Sequence, residues 1–368
     1  MASCEIVDFD DGHKPALLRD EGAQGTKLAL NRGKQSSNFV SVYDNLLPLM
    51  WAQRIYDYAV SRKKPWGAYV LTSDLLAFEQ EVAGSEERTA KMLEYVEGIY
   101  ETDPERSFAV CATWALVMQR ARGLIGCDMS GIHGTAVWCL CSGLTNSVEY
   151  HIDYAELYRY ETNIIHPPLY AGTCQVTPLQ TSSDMKGGDF RVNTGGIEHY
   201  RAFGYKGKLK DPEALGADLE SSCDWHTVRY KFNRSILHDG DLPHLSTPVE
   251  YIAQGLFRVI MGFNCFTSQV GECCLRAPEH SQAFNRTVKL YQRLASASGV
   301  RSSDDSKYGS APPSNGAPPP PPPASQAPKS RITAKDLLKN PALAKLIVMA
   351  ANKVKEKEKE KEKEKEKS

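Results

Sequence analysis

His151 and Asp153 stand two residues apart in EYHIDY, residues Glu149–Tyr154. On an extended strand that spacing turns both side chains to one side. A neutral imidazole and a carboxylate held together can take two positions on one metal ion. By itself the pair also fits a strand-end Asp bonded to a His. His244 comes 91 residues after Asp153, in HDGDLPHLSTPV, between Pro243 and Pro248. A rigid turn there would present an imidazole from another strand. His238, six residues earlier in SILHD, is its rival. Arg258 lies 14 residues beyond His244, inside the apolar run GLFRVIMGFN. Its neighbours Phe257, Val259 and Ile260 predict burial, and a buried guanidinium needs an anionic partner. That partner is either a protein carboxylate or the carboxylate of a bound small molecule, gripped in bidentate fashion.

These residues must be positioned by the elements around them. Leu46, Leu47, Met50, Trp51, Ile55, Tyr56 and Ala59 recur at helical spacing. The predicted helix starts near Val42, is capped by Asp44 or Asn45, and ends near Lys63–Lys64. A second helical region spans about 85–124, interrupted at Asp103–Pro104. After Gly126 the segments become short and rich in β-branched and aromatic residues: HGTAVWCLCSGL, VEYHIDY, GTCQVTPLQ, GDFRVNT, TVRYKFNRSILHD and GLFRVIMGFNCF. Helices first and many short strands afterwards predict a mainly β sandwich or barrel with buttressing helices. A further helix is expected over about 280–296.

The order HxD…H…R, spread over a strand-rich region, resembles the non-haem Fe(II)- and 2-oxoglutarate-dependent dioxygenases, in a prolyl-hydroxylase-like arrangement. The resemblance covers about residues 40–270 and is densest over 148–264. GGDF at 187–190 resembles the Gly-Gly-acidic-apolar step between the HxD strand and the distal His, and DGDLPH resembles the turn that carries that His. The turn favours His244 over His238.

The resemblance implies a double-stranded β-helix (jelly-roll, cupin-like) core. It implies that His151, Asp153 and His244 ligate Fe(II) and form the catalytic centre. Arg258 would bind the distal carboxylate of 2-oxoglutarate, and O2 would be the oxidant. The expected reaction is hydroxylation of a small molecule or protein side chain, with release of succinate and CO2. An Arg-x-Ser is frequent in the family, but here Val259 and Ile260 follow Arg258. The hydroxyl donor to the distal carboxylate must therefore lie elsewhere, and Thr177, Thr173 and Tyr170 are the candidates. Retention of Asp153, where halogenating members carry a small residue, favours hydroxylation.

The 368 residues include 44 Lys+Arg and 45 Asp+Glu, and 41% are hydrophobic. From Arg301 onward there are 15 basic and 9 acidic residues, which leaves 29 and 36 in residues 1–300, a net charge of −7. An acidic body disfavours nucleic acid as partner. No run is long and apolar enough for a membrane span, and MASCEIVDFDDGHK is no secretory signal. Ten scattered cysteines then predict reduced thiols and a cytoplasmic or nuclear location.

The expected organisation is a flexible arm over 1–38, the dioxygenase domain over 39–300 with helices over 42–124 and a β core over 133–270, a Pro-rich linker over 301–330, and a short helix with a disordered Lys/Glu tail over 331–368. The six prolines at 318–323 suit a polyproline-binding domain as partner. Two other classes remain open. One is a non-catalytic jelly-roll scaffold that recruits partners through its tail. The other is a cupin-like metal enzyme without 2-oxoglutarate. The triad with Arg258 speaks against the first, and Arg258 as an anion clamp speaks against the second.

Overall fold

A computed structural model of the chain describes residues 4–8, 27–31, 39–81, 85–116, 131–144, 147–205 and 208–297. The predicted Pro-rich linker, C-terminal helix and Lys/Glu tail lie outside them. The chain divides into two compact units, and the one discussed below contains every described residue up to Arg286.

The first strands are β1 (Cys4–Asp8), β2 (Lys27–Asn31), β3 (Val40–Asp44), β4 (Trp66–Leu71), β5 (Gly134–Ser142) and β6 (Val148–His151). Then come β7 (Ile164–Ile165), β8 (Tyr170–Gln175), β9 (Met185–Gly187), β10 (Phe190–Asn193), β11 (Gly204–Tyr205) and β12 (Lys208–Leu209). The last are β13 (Trp225–Val228), β14 (Arg234–Asp239), β15 (His244–Ser246), β16 (Val249–Ile252) and β17 (Arg258–Phe266). The architecture is mainly β with buttressing helices. A six-stranded antiparallel sheet runs β3-β14-β8-β17-β5-β4, and a four-stranded antiparallel sheet runs β13-β10-β15-β6. From β5 to β17 the chain passes back and forth between these two sheets.

The central strand β17 is buried along all nine residues, and its alternation assigns two different faces. Val259, Met261, Phe263 and Cys265 point into a core shared with Trp51, Ile55, Met92, Val96 and Phe108 of the N-terminal helices. Arg258, Ile260, Gly262 and Asn264 point the other way. On that inner side Ile236 of β14 packs with Phe190 and Val192 of β10 and Val228 of β13, which ties the two sheets together.

The helix predicted from Val42 begins later, at Leu49, because Val40–Asp44 is a strand paired with β14. Its buried stripe is Trp51, Ala52, Ile55, Tyr56 and Ala59. Pro48 takes the N-cap position without a side-chain bond. Asp44, expected as a cap, instead accepts from Arg234 Nε and Lys231 Nζ at 2.7 and 2.6 Å. The interruption at Asp103–Pro104 is a helix start: Asp103 accepts from Arg106 N at 3.1 Å and Pro104 opens Pro104–Thr113. The loose arm expected over 1–38 contains β1 and β2, which pair antiparallel, with β2 parallel to β7. Leu28 and Ala29 are buried there, an attachment no local pattern announced. Among the described residues no helix is long and apolar enough to cross a membrane. Cys111, Cys139, Cys141, Cys174, Cys223, Cys265, Cys273 and Cys274 are free thiols.

Candidate metal centre and anion pocket

Antiparallel pairing of β6 with β15 sets His151 directly opposite His244. Their ring centroids are 4.4 Å apart. β6 ends at His151, and the chain stays extended enough to return Asp153 to the same spot. Asp153 Oδ1 lies 3.3 Å from His151 Nε2, and Oδ2 lies 3.8 Å from His244 Nε2. One ligand atom from each of the three residues falls within 4.8 Å of the others, the geometry of a metal-binding group.

The backbone orients both imidazoles. His151 Nδ1 is 2.6 Å from Glu149 O, and His244 Nδ1 is 3.1 Å from Leu242 O. A carbonyl only accepts, so each Nδ1 carries a proton and each ring turns its Nε2 toward Asp153. The turn holding His244 is packed and hydrogen-bonded into the core. Leu242 is fully buried, and Asn193 N donates to Pro243 O at 2.9 Å. Gly240 has no room for a side chain, because a Cβ there would meet Pro168 O at 2.1 Å. The Phe190 ring of GGDF lies 5.3 Å from that of His244.

Burial and the neighbouring His151 push His244 down to about 3, so its ring is neutral. Burial opposes the charge on Asp153, but His244 and His151 outweigh it and hold the carboxyl below the ordinary carboxylate range. A neutral His244 imidazole and an ionised Asp153 carboxylate are protonation states that suit a divalent metal. Asn264 adds support from β17: with its amide nitrogen turned inward it donates to Asp153 Oδ2 and Phe263 O, both at 3.1 Å. His238, the rival, is fully buried on β14 with its ring centroid 5.0 Å from that of His244. Its Nδ1 contacts Asp239 O at 2.7 Å, and it stands outside the metal-capable group.

Arg258, the first residue of β17, is 4% exposed. Its Nη2 donates to Gly188 O at a long 3.4 Å, and its buried Nε has no partner among the described residues. Of the two expected partners, a protein carboxylate is not bonded to it among the described residues. Burial pulls this guanidinium below its ordinary value. Gly188 allows the approach: its φ is +73°, and a Cβ would lie 3.2 Å from Arg258 Nε. The Tyr230 ring lies 5.9 Å from Arg258 Cζ.

The three candidate hydroxyl donors have different placements. Thr177 is fully buried; its Oγ1 donates to Phe257 O and accepts from Val259 N, both at 2.9 Å, and Tyr230 is 2.8 Å away. That hydroxyl shapes the start of β17. Tyr170 lies on the opposite sheet face, in the core backed by the N-terminal helices, with Phe39 against it. The reason is alternation along β8, which turns Tyr170, Gly172 and Cys174 one way and Ala171, Thr173 and Gln175 the other. Thr173 is on the inner face, opposite Gly262. Sequence reading missed Asn264 and Tyr230. The six-residue step from Arg258 to Asn264 within one strand was a usable signal for the first; nothing in the sequence pointed to the second.

No family model and no curated protein matches the chain. Solved structures similar to it are prolyl hydroxylases and 2OG-Fe(II) oxygenases. A prolyl-4-hydroxylase from Pseudomonas putida is 11% identical, with TM-score 0.33, over 62% of this chain and 84% of that one. A prolyl hydroxylase from Trichoplax adhaerens, in complex with a hypoxia inducible factor oxygen degradation domain peptide fragment, is 11% identical, with TM-score 0.34, over 64% and 87%. A 2OG-Fe(II) oxygenase family oxidoreductase from Burkholderia pseudomallei is 11% identical, with TM-score 0.21, over 37% and 45%. At this degree of overlap the functional reading rests on the site.

Proposed function

We propose that the protein is an Fe(II)- and 2-oxoglutarate-dependent dioxygenase that hydroxylates a small molecule or a protein side chain. The observation that carries this reading is the pairing of two features at the inner face of one strand, β17. One is a His–Asp–His group with the proximity and ring orientation a metal needs. The other is a buried guanidinium whose Nε lacks a partner among the described residues. A cupin-like metal site has no use for the second feature, and a non-catalytic scaffold has no use for either.

The strand order supports a double-stranded β-helix. β5, β8, β14 and β17 lie in one sheet and β6, β10, β13 and β15 in the other. The resulting order β14-β8-β17-β5 against β13-β10-β15-β6 is the interleaving a jelly roll produces.

The residues fit the implied groups. His151 Nε2, His244 Nε2 and an Asp153 oxygen would hold Fe(II) and leave positions open for other ligands. Arg258 would take the distal carboxylate of 2-oxoglutarate and neutralise its own buried charge. When bound, iron and 2-oxoglutarate supply oxidative activation of O2 with release of succinate and CO2. The protein's own part is positional. Asn264 fixes the Asp153 carboxylate, and Leu242 O and Glu149 O fix the two imidazoles.

The test is anaerobic titration of Fe(II)-loaded protein with 2-oxoglutarate, following the weak visible charge-transfer band of the chelate. The band is expected in the wild type and lost in Arg258→Ala. Bound iron without a band would turn the reading to a metal enzyme that does not use 2-oxoglutarate. Absence of iron binding would leave a scaffold.

A further inference from the structure

Between Arg258 and Asn264 the inner face of β17 carries Ile260 and Gly262, and two side chains from neighbouring strands flank the glycine. Gly262 pairs with Trp138 of β5 on one side and with Thr173 of β8 on the other. Directly paired residues of an antiparallel sheet share a face. The indole of Trp138 lies across the glycine: a Cβ on Gly262 would fall 2.4 Å from its six-membered ring and 2.8 Å from Nε1. Any other residue at position 262 would push the indole away. Trp138 and Thr173 both keep partial exposure. Among the described residues neither the indole N–H nor the threonine hydroxyl has a hydrogen-bond partner. Ile260 and Leu140, paired in the next row toward Arg258, make an apolar floor.

The rows give this pair a defined place. Asn264 reaches Asp153, so the metal group stands over the Asn264 row, and Arg258 marks the far end. A 2-oxo dicarboxylate held by both must cross the Ile260 and Gly262 rows, with its methylenes over the apolar floor. Its metal-proximal carboxylate then comes next to Gly262, between an indole N–H and a hydroxyl. Neutral donors suit that end. They satisfy a carboxylate oxygen without adding a cation that competes with the metal for its charge.

We infer that Trp138 and Thr173 are the donors for the metal-proximal carboxylate of the 2-oxo acid, flanking a glycine that keeps the space between them open. This rests on the dioxygenase reading, and the two can fail separately.

The probes are 2-oxoglutarate and oxalate, titrated calorimetrically into protein loaded with Mn(II), a redox-inert stand-in for Fe(II). Oxalate carries the chelating end and lacks the distal carboxylate. Trp138→Phe keeps a ring and removes the N–H; Thr173→Val keeps the shape and removes the hydroxyl. Each is expected to weaken both probes by about tenfold, the scale of one hydrogen bond to a charged group. Arg258→Gln is expected to weaken 2-oxoglutarate and spare oxalate. Should Trp138→Phe fail to give a native circular dichroism spectrum, the isosteric Thr173→Val carries the test alone. If Arg258→Gln behaves as expected while Trp138→Phe and Thr173→Val bind both probes as the wild type does, the inference is wrong and the dioxygenase reading stands. Loss of 2-oxoglutarate alone in these variants would place the donors at the distal end and also overturn it. If the wild-type Mn(II) protein binds neither probe, both ideas fall.

Discussion

Arg258 and Asn264 stand six residues apart on one strand and face the same side of it. Arg258 carries a buried Nε without a partner among the described residues, and Asn264 donates to the Asp153 carboxylate at 3.1 Å. One strand therefore holds the anion receptor and the support of the metal group in fixed register. It is buried along its whole length, between β8 and β5. A shift of one residue would turn both side chains into the helix-backed core.

Asn264→Ala should lower metal affinity by roughly 10- to 100-fold, the usual cost of losing a residue that orients a ligand. Competition with a chelator of known affinity measures it. Unchanged affinity would mean that the two backbone-held imidazoles suffice to fix Asp153.

Arg258→Met should have opposite effects on stability and on binding. Without ligand, the wild type holds a desolvated cation whose one hydrogen bond among the described residues is a 3.4 Å contact to Gly188 O. An apolar residue of similar volume should stabilise the ligand-free protein by about 1 kcal/mol or more. Saturating 2-oxoglutarate should raise the melting temperature of the metal-loaded wild type and leave that of the variant unmoved. A variant less stable than the wild type without ligand would show that Arg258 is a structural residue.

Much of this was legible in the sequence. The convergence of His151, Asp153 and His244 and the burial of Arg258 were readable because each lies in a distinctive local setting: a two-residue strand step, a Pro-bounded turn, a charge inside an apolar run. The strands Gly134–Ser142 and Arg258–Phe266 were readable from β-branched density. The strand Val40–Asp44 was not, because its five residues run directly into a helical stripe and their partner, β14, lies about 190 residues away. The helices Gly196–Phe203 and Pro212–Ser221 were also missed; they are short and bury few side chains. Tyr170 and Thr177 showed the limit of type without phase. Both carry hydroxyls near the right strand, yet one faces the wrong side and the other is spent on backbone atoms of Phe257 and Val259.

Gly188→Ala should damage the pocket more than the size of one methyl suggests. The φ of +73° is unfavourable for alanine, and the new Cβ would press on Arg258 Nε and Val249 Cγ2, each at 3.2 Å. A loss of about 1–2 kcal/mol in stability is expected from denaturant unfolding. Affinity for 2-oxoglutarate should fall as well, because the guanidinium must move. If stability falls and affinity holds, the arginine has a second working position.

The metal-free protein should lose stability as pH falls through the mildly acidic range. His244 is held neutral by burial, with a folded value of about 3 against an ordinary 6.5. Between those values the unfolded chain binds a proton that the folded chain does not, so stability rises with pH across the window. It is fully present above about 6.5 and lost progressively toward 3. Asp153, held below its ordinary range by the same imidazoles, adds a loss of the same sign at the acid end. Urea unfolding of chelator-treated protein at a series of pH values would show this as a decline of a few kcal/mol. His244→Gln keeps a neutral side chain of similar reach and should flatten the decline. An equally steep profile in that variant would assign the pH dependence to other buried groups.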